Sequence, residues 1–281
     1  MNTKYTANQI ALLTLALTTF GALLAPLATA QTPSVANIVA KANRTAYYQG
    51  KDGSAKVKMT ITDARGQIRN REMTILRRDD VSPGAKGDEH CGDQAFYVYF
   101  HRPADVNKMV FMVWKHVDKD DDRWLYLPAL DLVKRIAASD ERTSFVGSDF
   151  LYEDVSGRGM EEDGHELLET TADTYLLKNT PKDPKLVEFS YYNVWIDRQT
   201  FMPVKAEYYD RNGKLYRRME VLETKEIQGY PTVTKAKMSN LNTGGHTIAE
   251  YSRVKYDIGL PEKIFAERYL RRAPRKYLRS R

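Results

Sequence analysis

From Ser34 to Tyr48 the apolar positions Val35, Ile38, Val39, Ala42 and Ala46 recur at helical spacing. Ser34 suits an N-cap and Gly50 a stop, so the spacing predicts one amphipathic helix. The period then changes to two. Ala55, Val57, Met59 and Ile61 alternate with Lys56, Lys58, Thr60 and Thr62, the pattern of a strand with one wet face. Gly66 marks a turn, and 68–78 reads as the hairpin partner.

The next strands break this alternation. Phe96–Phe100, Met109–Trp114 and Trp124–Leu127 are apolar in both phases. An antiparallel sheet usually leaves one face wet, so these strands must be covered on both sides. The N-terminal helix can cover one side. A second layer, a lid or a bound apolar ligand must cover the other.

Hairpin periods return in the C-terminal half, at 167–178, 186–197, 202–210, 214–226, 231–240 and 246–257. Turns fall at Arg198-Gln199, Arg211-Asn212-Gly213, Gln228-Gly229 and Thr243-Gly244-Gly245. Phe189, Tyr191 and Trp195 are expected on one strand face. Short strands at this spacing predict a large curved antiparallel sheet or barrel. The loop Asp79–Asp93 is long, charged and rich in Gly.

The first thirty residues read as a secretory signal. Lys4 is the only charge before Lys41, Ile10–Ala25 is largely apolar, and Ala28-Thr29-Ala30 is a cleavage pattern. Export to the periplasm with cleavage after Ala30 is expected. The remainder divides into a domain over 31–267 and a basic tail over 268–281. A single cysteine, Cys91, leaves the fold to rest on packing rather than an internal disulfide. The formal net charge of +6 is too mild to argue for nucleic acid. It is unevenly spread, with seven Arg or Lys and no acid from Arg268 to Arg281. Eighteen tyrosines suit half-wet surfaces and cavity walls.

The segment Trp124–Asp154 begins with a strand ended by Pro128 and continues through Lys134-Arg135-Ile136. It closes with Ser144-Phe145-Val146-Gly147-Ser148-Asp149-Phe150-Leu151-Tyr152-Glu153-Asp154. Ser148 or Asp149 can cap a short helix carrying Phe150, Leu151, Tyr152 and Val155, with Phe145 as a staple. Such a segment is either a lid across a sheet face or a long loop on an ordinary core. These blocks resemble the outer-membrane lipoprotein-sorting proteins, the LolA-like family. Looser likeness is carried by Arg69-Asn70-Arg71, by Arg102-Pro103-Ala104-Asp105-Val106, and by 265–270.

The resemblance implies a mainly β protein with some α. Its incomplete antiparallel barrel would wrap a helix layer and a lid helix around an apolar cavity. It implies a periplasmic carrier of lipid or lipoprotein acyl chains, and a partnership with RND-type or MMPL-type inner-membrane exporters. Candidate cavity and lid residues are Phe111, Val113, Trp124, Tyr126, Phe145, Phe150, Tyr152 and Trp195. Candidates for the family's lid-tethering arginine are Arg69, Arg71 and Arg135, since an Arg fork can hold several carbonyls.

Other chemistry finds little support. Gly147-Ser148-Asp149 lacks the second glycine of a nucleophile elbow, and His165-Glu166 stands alone. Asp118–Asp122 has the density of a calcium loop without its glycine or distal Glu. Asp88–Asp93 mixes hard and soft ligands, but one loop rarely closes a metal site. No cofactor, metal or catalytic group is expected. The competing classes are an accessory exporter subunit without cargo and an envelope hydrolase. The basic tail adds an anionic membrane surface as a candidate partner.

Overall fold

The computed structural model describes residues 33–80 and 92–278. The expected secretory segment with Ala30, most of the loop 79–93 with Cys91, and the last three residues lie outside them. Val35–Tyr47 form helix α1, and Ser34 Oγ accepts from the amide of Asn37 at 3.2 Å.

The strands are β1 (Asp52–Thr62), β2 (Ile68–Asp79), β3 (Gln94–Arg102), β4 (Val110–Lys115), β5 (Asp122–Leu127) and β6 (Leu132–Ile136). After a return segment come β7 (Asp163–Thr170), β8 (Thr174–Pro181), β9 (Phe189–Asp197), β10 (Pro203–Asp210), β11 (Leu215–Ile227), β12 (Tyr230–Asn240) and β13 (Gly245–Tyr256). All belong to one antiparallel sheet in the order β6-β5-β4-β3-β2-β1-β13-β12-β11-β10-β9-β8-β7. The chain meanders outward from β1 to β6, returns through 137–162 to the far edge at β7, and meanders back until β13 pairs with β1. The sheet is curved and unclosed, and the fold is mainly β with few helices.

One expected strand divides here, and one segment gains a strand. The stretch 167–178 belongs to two strands, because Thr171 folds a turn that its hydroxyl closes onto the amides of Asp173 and Thr174. The basic pair Lys134-Arg135 lies inside β6, an edge strand whose charge guards the sheet's end.

The two-phase strands are covered on both sides, but not by α1. Their inner phase, with Phe96, Val98, Phe100, Phe111 and Val113, packs beneath Phe145, Phe150 and Tyr152 of the return segment. Their outer phase, with Tyr97, Val110, Met112 and Trp124, packs beneath Leu260, Ile264, Phe265, Leu270 and Leu278. Helix α1 instead seats Ile38 and Ala42 against Tyr175, Leu177 and Ile196 in the other arm of the sheet.

The tail is therefore a docked layer rather than a loose end. It contains the short helices α3 (Arg268–Arg271) and α4 (Arg275–Leu278). Asp52 accepts the amides of Ile258 and Leu260, each at 2.7 Å. Tyr97 donates to the Tyr269 carbonyl at 2.8 Å, and Trp114 to that of Phe265 at 2.8 Å. Each large apolar side chain buried this way contributes about 1.5–3 kcal/mol, enough in sum to hold the segment on the sheet.

Candidate functional site

Topology dictates where a site can form. The outward meander ends at one edge and the homeward one starts at the other, so 137–162 must span the inner face. Within it the amide of Phe145 bonds the Phe150 carbonyl at 2.7 Å, and that of Glu153 bonds the Glu141 carbonyl at 2.9 Å. The helix at its end is α2 (Tyr152–Ser156), shorter and later than the cap pattern suggests. Ser148 does not cap it. Its hydroxyl donates to the Phe145 carbonyl at 2.7 Å and tightens the preceding turn. Asp154 accepts the Leu151 amide at 2.6 Å and starts the helix from within.

Between this segment and the sheet is a cavity of about 400 Å³. Its ceiling is Phe145, Phe150 and Val155, with the last turn of α1 beside them. Its floor is the inner phase of the central strands: Val57 and Met59, Met219 and Val221, Ala236 and Met238. Gln49, Pro231 and the exposed Lys255 also border it. Asp154, Tyr208 and Tyr251 bring polar atoms to the apolar lining. Burial and the nearby Asp154 push the Tyr251 phenol up to about 12. Burial also raises Tyr208 to about 12, against the adjoining Arg217 guanidinium.

The return segment is pinned by ions. Arg217 pairs with Asp154 and lies 5.0 Å from the Tyr208 ring centre. Arg142 pairs with Glu153 and holds Glu188 through a two-pronged contact at 2.6 and 2.8 Å. Arg158 reaches Glu153 at 3.1 Å and Asp163 at 3.0 Å. Lys115, buried and its pKa lowered by desolvation, donates to the Ser156 and Gly157 carbonyls at 2.8 and 3.1 Å. Gly157 has φ +78°, and a Cβ there would stand 2.5 Å from the Tyr47 ring. Only glycine lets α1 and the return segment meet so closely.

Three solved structures share this architecture. A DUF1329 family protein from Desulfovibrio piger is 28% identical, with a TM-score of 0.75 over 84% of this chain and 97% of its own. A protein described as an outer-membrane lipoprotein-sorting domain, from Vibrio parahaemolyticus, is 28% identical, with a TM-score of 0.72 over 83% and 97%. A LolA superfamily protein from Nitrosomonas europaea is 20% identical, with a TM-score of 0.64 over 85% and 100%, a likeness of fold. No curated protein matches the sequence. A family model described as that of an uncharacterized protein matches residues 92–272, more than half of the chain. The chain belongs to this family, and its fold is LolA-like.

In this LolA-like protein the sequence candidates separate. Phe145 and Phe150 line the cavity. Phe111, Val113 and Tyr152 lie in the inner core beside it, outside its lining. Trp124 and Tyr126 fall in the opposite phase, under the C-terminal layer, because that layer covers the outer face of β5. Trp195 is also outside the cavity, beneath the Lys205 ammonium at 4.1 Å from its ring centre. A register irregularity between Tyr209 and Asp210 accompanies the separation of Phe189 from Tyr191. Phe189 packs edge-on to Tyr192 and Tyr208, whereas Tyr191 stacks on Tyr209.

Arg69 donates to the Gly147 carbonyl at 3.3 Å, a contact with the return segment. Arg71 holds Asp105 at 3.3 Å, and Arg135 pairs with Asp122 on β5, so neither touches that segment. The arginines that pin it most firmly are Arg142, Arg158 and Arg217. A signal for Arg217 was present: its charge falls in the same phase as Met219 and Val221 of β11. Among the described residues no group of three or more His, Cys, Asp or Glu could hold a metal ion. Asp121 and Asp122 are instead engaged by Arg123 and Arg135. No described helix is long and apolar enough to cross a membrane.

Proposed function

We propose that the protein is a non-catalytic periplasmic carrier that holds an acyl chain of a lipid or lipoprotein beneath its return segment. The observation that carries this reading is the cavity of about 400 Å³ with apolar walls from both arms of the sheet. Such a site needs no reacting group. Each methylene removed from water contributes about 0.8 kcal/mol, so one chain can offset the cost of ordering it. The reading includes export, with Gln31 as the first residue of the mature chain.

Native mass spectrometry and lipid extraction of protein purified from the cell envelope test it. The expected result is one bound amphiphile per chain. Ala236, buried on the cavity floor, gives the control. Ala236→Phe fills the space, so the folded variant should lose the amphiphile. A folded wild type that carries no lipid and shifts no fatty-acid probe would count against the carrier.

A second reading is an accessory subunit of an RND-type or MMPL-type exporter, without cargo of its own. The exposed basic side chains of the docked C-terminal layer favour it: Arg268, Arg271, Arg272, Arg275 and Lys276. Copurification of an exporter with lipid-free protein would support this reading over the first.

A further inference from the structure

We propose that the cavity selects a single-chain amphiphile with an uncharged hydroxyl head, seated against Asp154, Tyr208 and Tyr251. This rests on the carrier reading and specifies its cargo.

Size sets the first limit. About 400 Å³ is about thirteen times the share of volume a water molecule takes in the liquid. A methylene occupies similar space, so the cavity has room for a medium-length chain.

Polarity sets the second. Asp154 lines the cavity, and its Oδ2 is used by the Leu151 amide and by Arg217. Its Oδ1 takes no hydrogen bond from the described residues. The hydroxyls of Tyr47, Tyr208 and Tyr251, which share this cavity, likewise have no hydrogen-bond partner among the described residues. All three phenols feel the Asp154 charge, and their raised pKa values keep them protonated donors. Behind them Arg217 is 4% exposed, and its Nε and Nη1 have no hydrogen-bond partner among the described residues.

The Asp154–Arg217 pair is neutral as a unit. A carboxylate or phosphate head would bring an anion next to Asp154. An ammonium head would bring a cation next to Arg217. Either leaves an uncompensated charge in a buried site. A hydroxyl both donates and accepts. It can give its proton to Asp154 Oδ1 and take one from a phenol, with no net charge added.

The test uses the mature protein and displacement of a bound environment-sensitive probe by four ligands of one chain length. These are dodecanol, dodecanoate, dodecylammonium and dodecane. Dodecanol should bind at least about tenfold more tightly than either charged ligand. Tyr208→Phe combined with Tyr251→Phe should weaken dodecanol about tenfold, the worth of roughly one neutral hydrogen bond to the ligand's hydroxyl, and leave dodecane unchanged. Unchanged dodecane binding also shows that the variant is folded; each single variant serves if the double is not. A charged ligand binding as tightly as dodecanol overturns the inference, as does a folded variant that binds dodecanol unchanged. In both cases the carrier reading survives. If none of the four binds the wild type, the carrier reading falls and takes this inference with it.

Discussion

Phe145 decides whether the return segment is part of the core or a door. Its side chain is 1% exposed. Its ring centre lies 5.8 Å from that of Phe100, 5.5 Å from Phe111 and 5.4 Å from Tyr152. Truncating a buried Phe to Ala destabilises by about 3–5 kcal/mol. One side of this ring already borders the cavity, where it has fewer contacts to lose. The lower end, about 3 kcal/mol, is therefore expected for Phe145→Ala. A chain of this size moves its Tm by about 2–4 °C per kcal/mol, so the drop should be about 6–12 °C. Calorimetry measures it. Hydrogen exchange on the same variant should quicken in 145–157 and in β4 together, since Phe111 loses its cover. The reasoning is refuted if the Tm stays within about 2 °C while only 145–157 exchanges faster. That pair of results would mark a segment that opens independently of the sheet.

Two further predictions follow from charge. Glu141, bonded to Arg123 at 2.5 Å, is pushed up to about 7, mainly by burial, with Arg123 opposing. A raised carboxyl binds its proton more tightly folded than unfolded, so stability falls as pH rises from the unfolded value to about 7. Glu141→Gln should leave thermal stability unchanged near pH 4 and raise it relative to wild type at pH 8; equal melting curves at both would refute this. For the C-terminal layer, deletion is the wrong probe, because Leu270 and Leu278 are buried in the outer core. Charge reversal at Arg272, Arg275 and Lys276 should keep the fold. It should abolish any salt-sensitive binding to vesicles rich in anionic lipid, each charge being worth about 1 kcal/mol there. Equal binding of variant and wild type at low salt would leave this face without a membrane role.

Much of the fold was legible because periodicity reports burial directly. The alternation in β1 and the capped pattern of α1 give both elements within a few residues. Apolar residues in both phases of β3–β5 correctly required two covers. The aromatic segment around Phe145 was legible as one candidate cover. That the C-terminal layer and not α1 supplies the other was not, because a cover is chosen by topology and not by local pattern. Basic charge between 268 and 281 masked an apolar stripe, Leu270 and Leu278, that seats the segment. The cavity residues were harder still. Trp124 and Phe111 look alike in sequence, yet strand phase sends them to opposite faces. The pinning arginines were obscured for another reason. Two of their contacts, Arg142 with Glu188 and Arg217 with Asp154, join residues distant in sequence, and only the return path brings these together.

The seam between β1 and β13 has a kinetic consequence. Each arm is a meander whose neighbours in the sheet are neighbours in sequence, so each can assemble from local contacts. The seam joins residues as far apart as Gly53 and Tyr256 and must await closure of nearly the whole chain. The cavity floor takes Val57 and Met59 from one arm and Ala236 and Met238 from the other. It does not exist until that closure occurs. An amphiphile bound there recognises only the zipped protein, so it slows the parting of the arms and acts as a latch on the last step of folding.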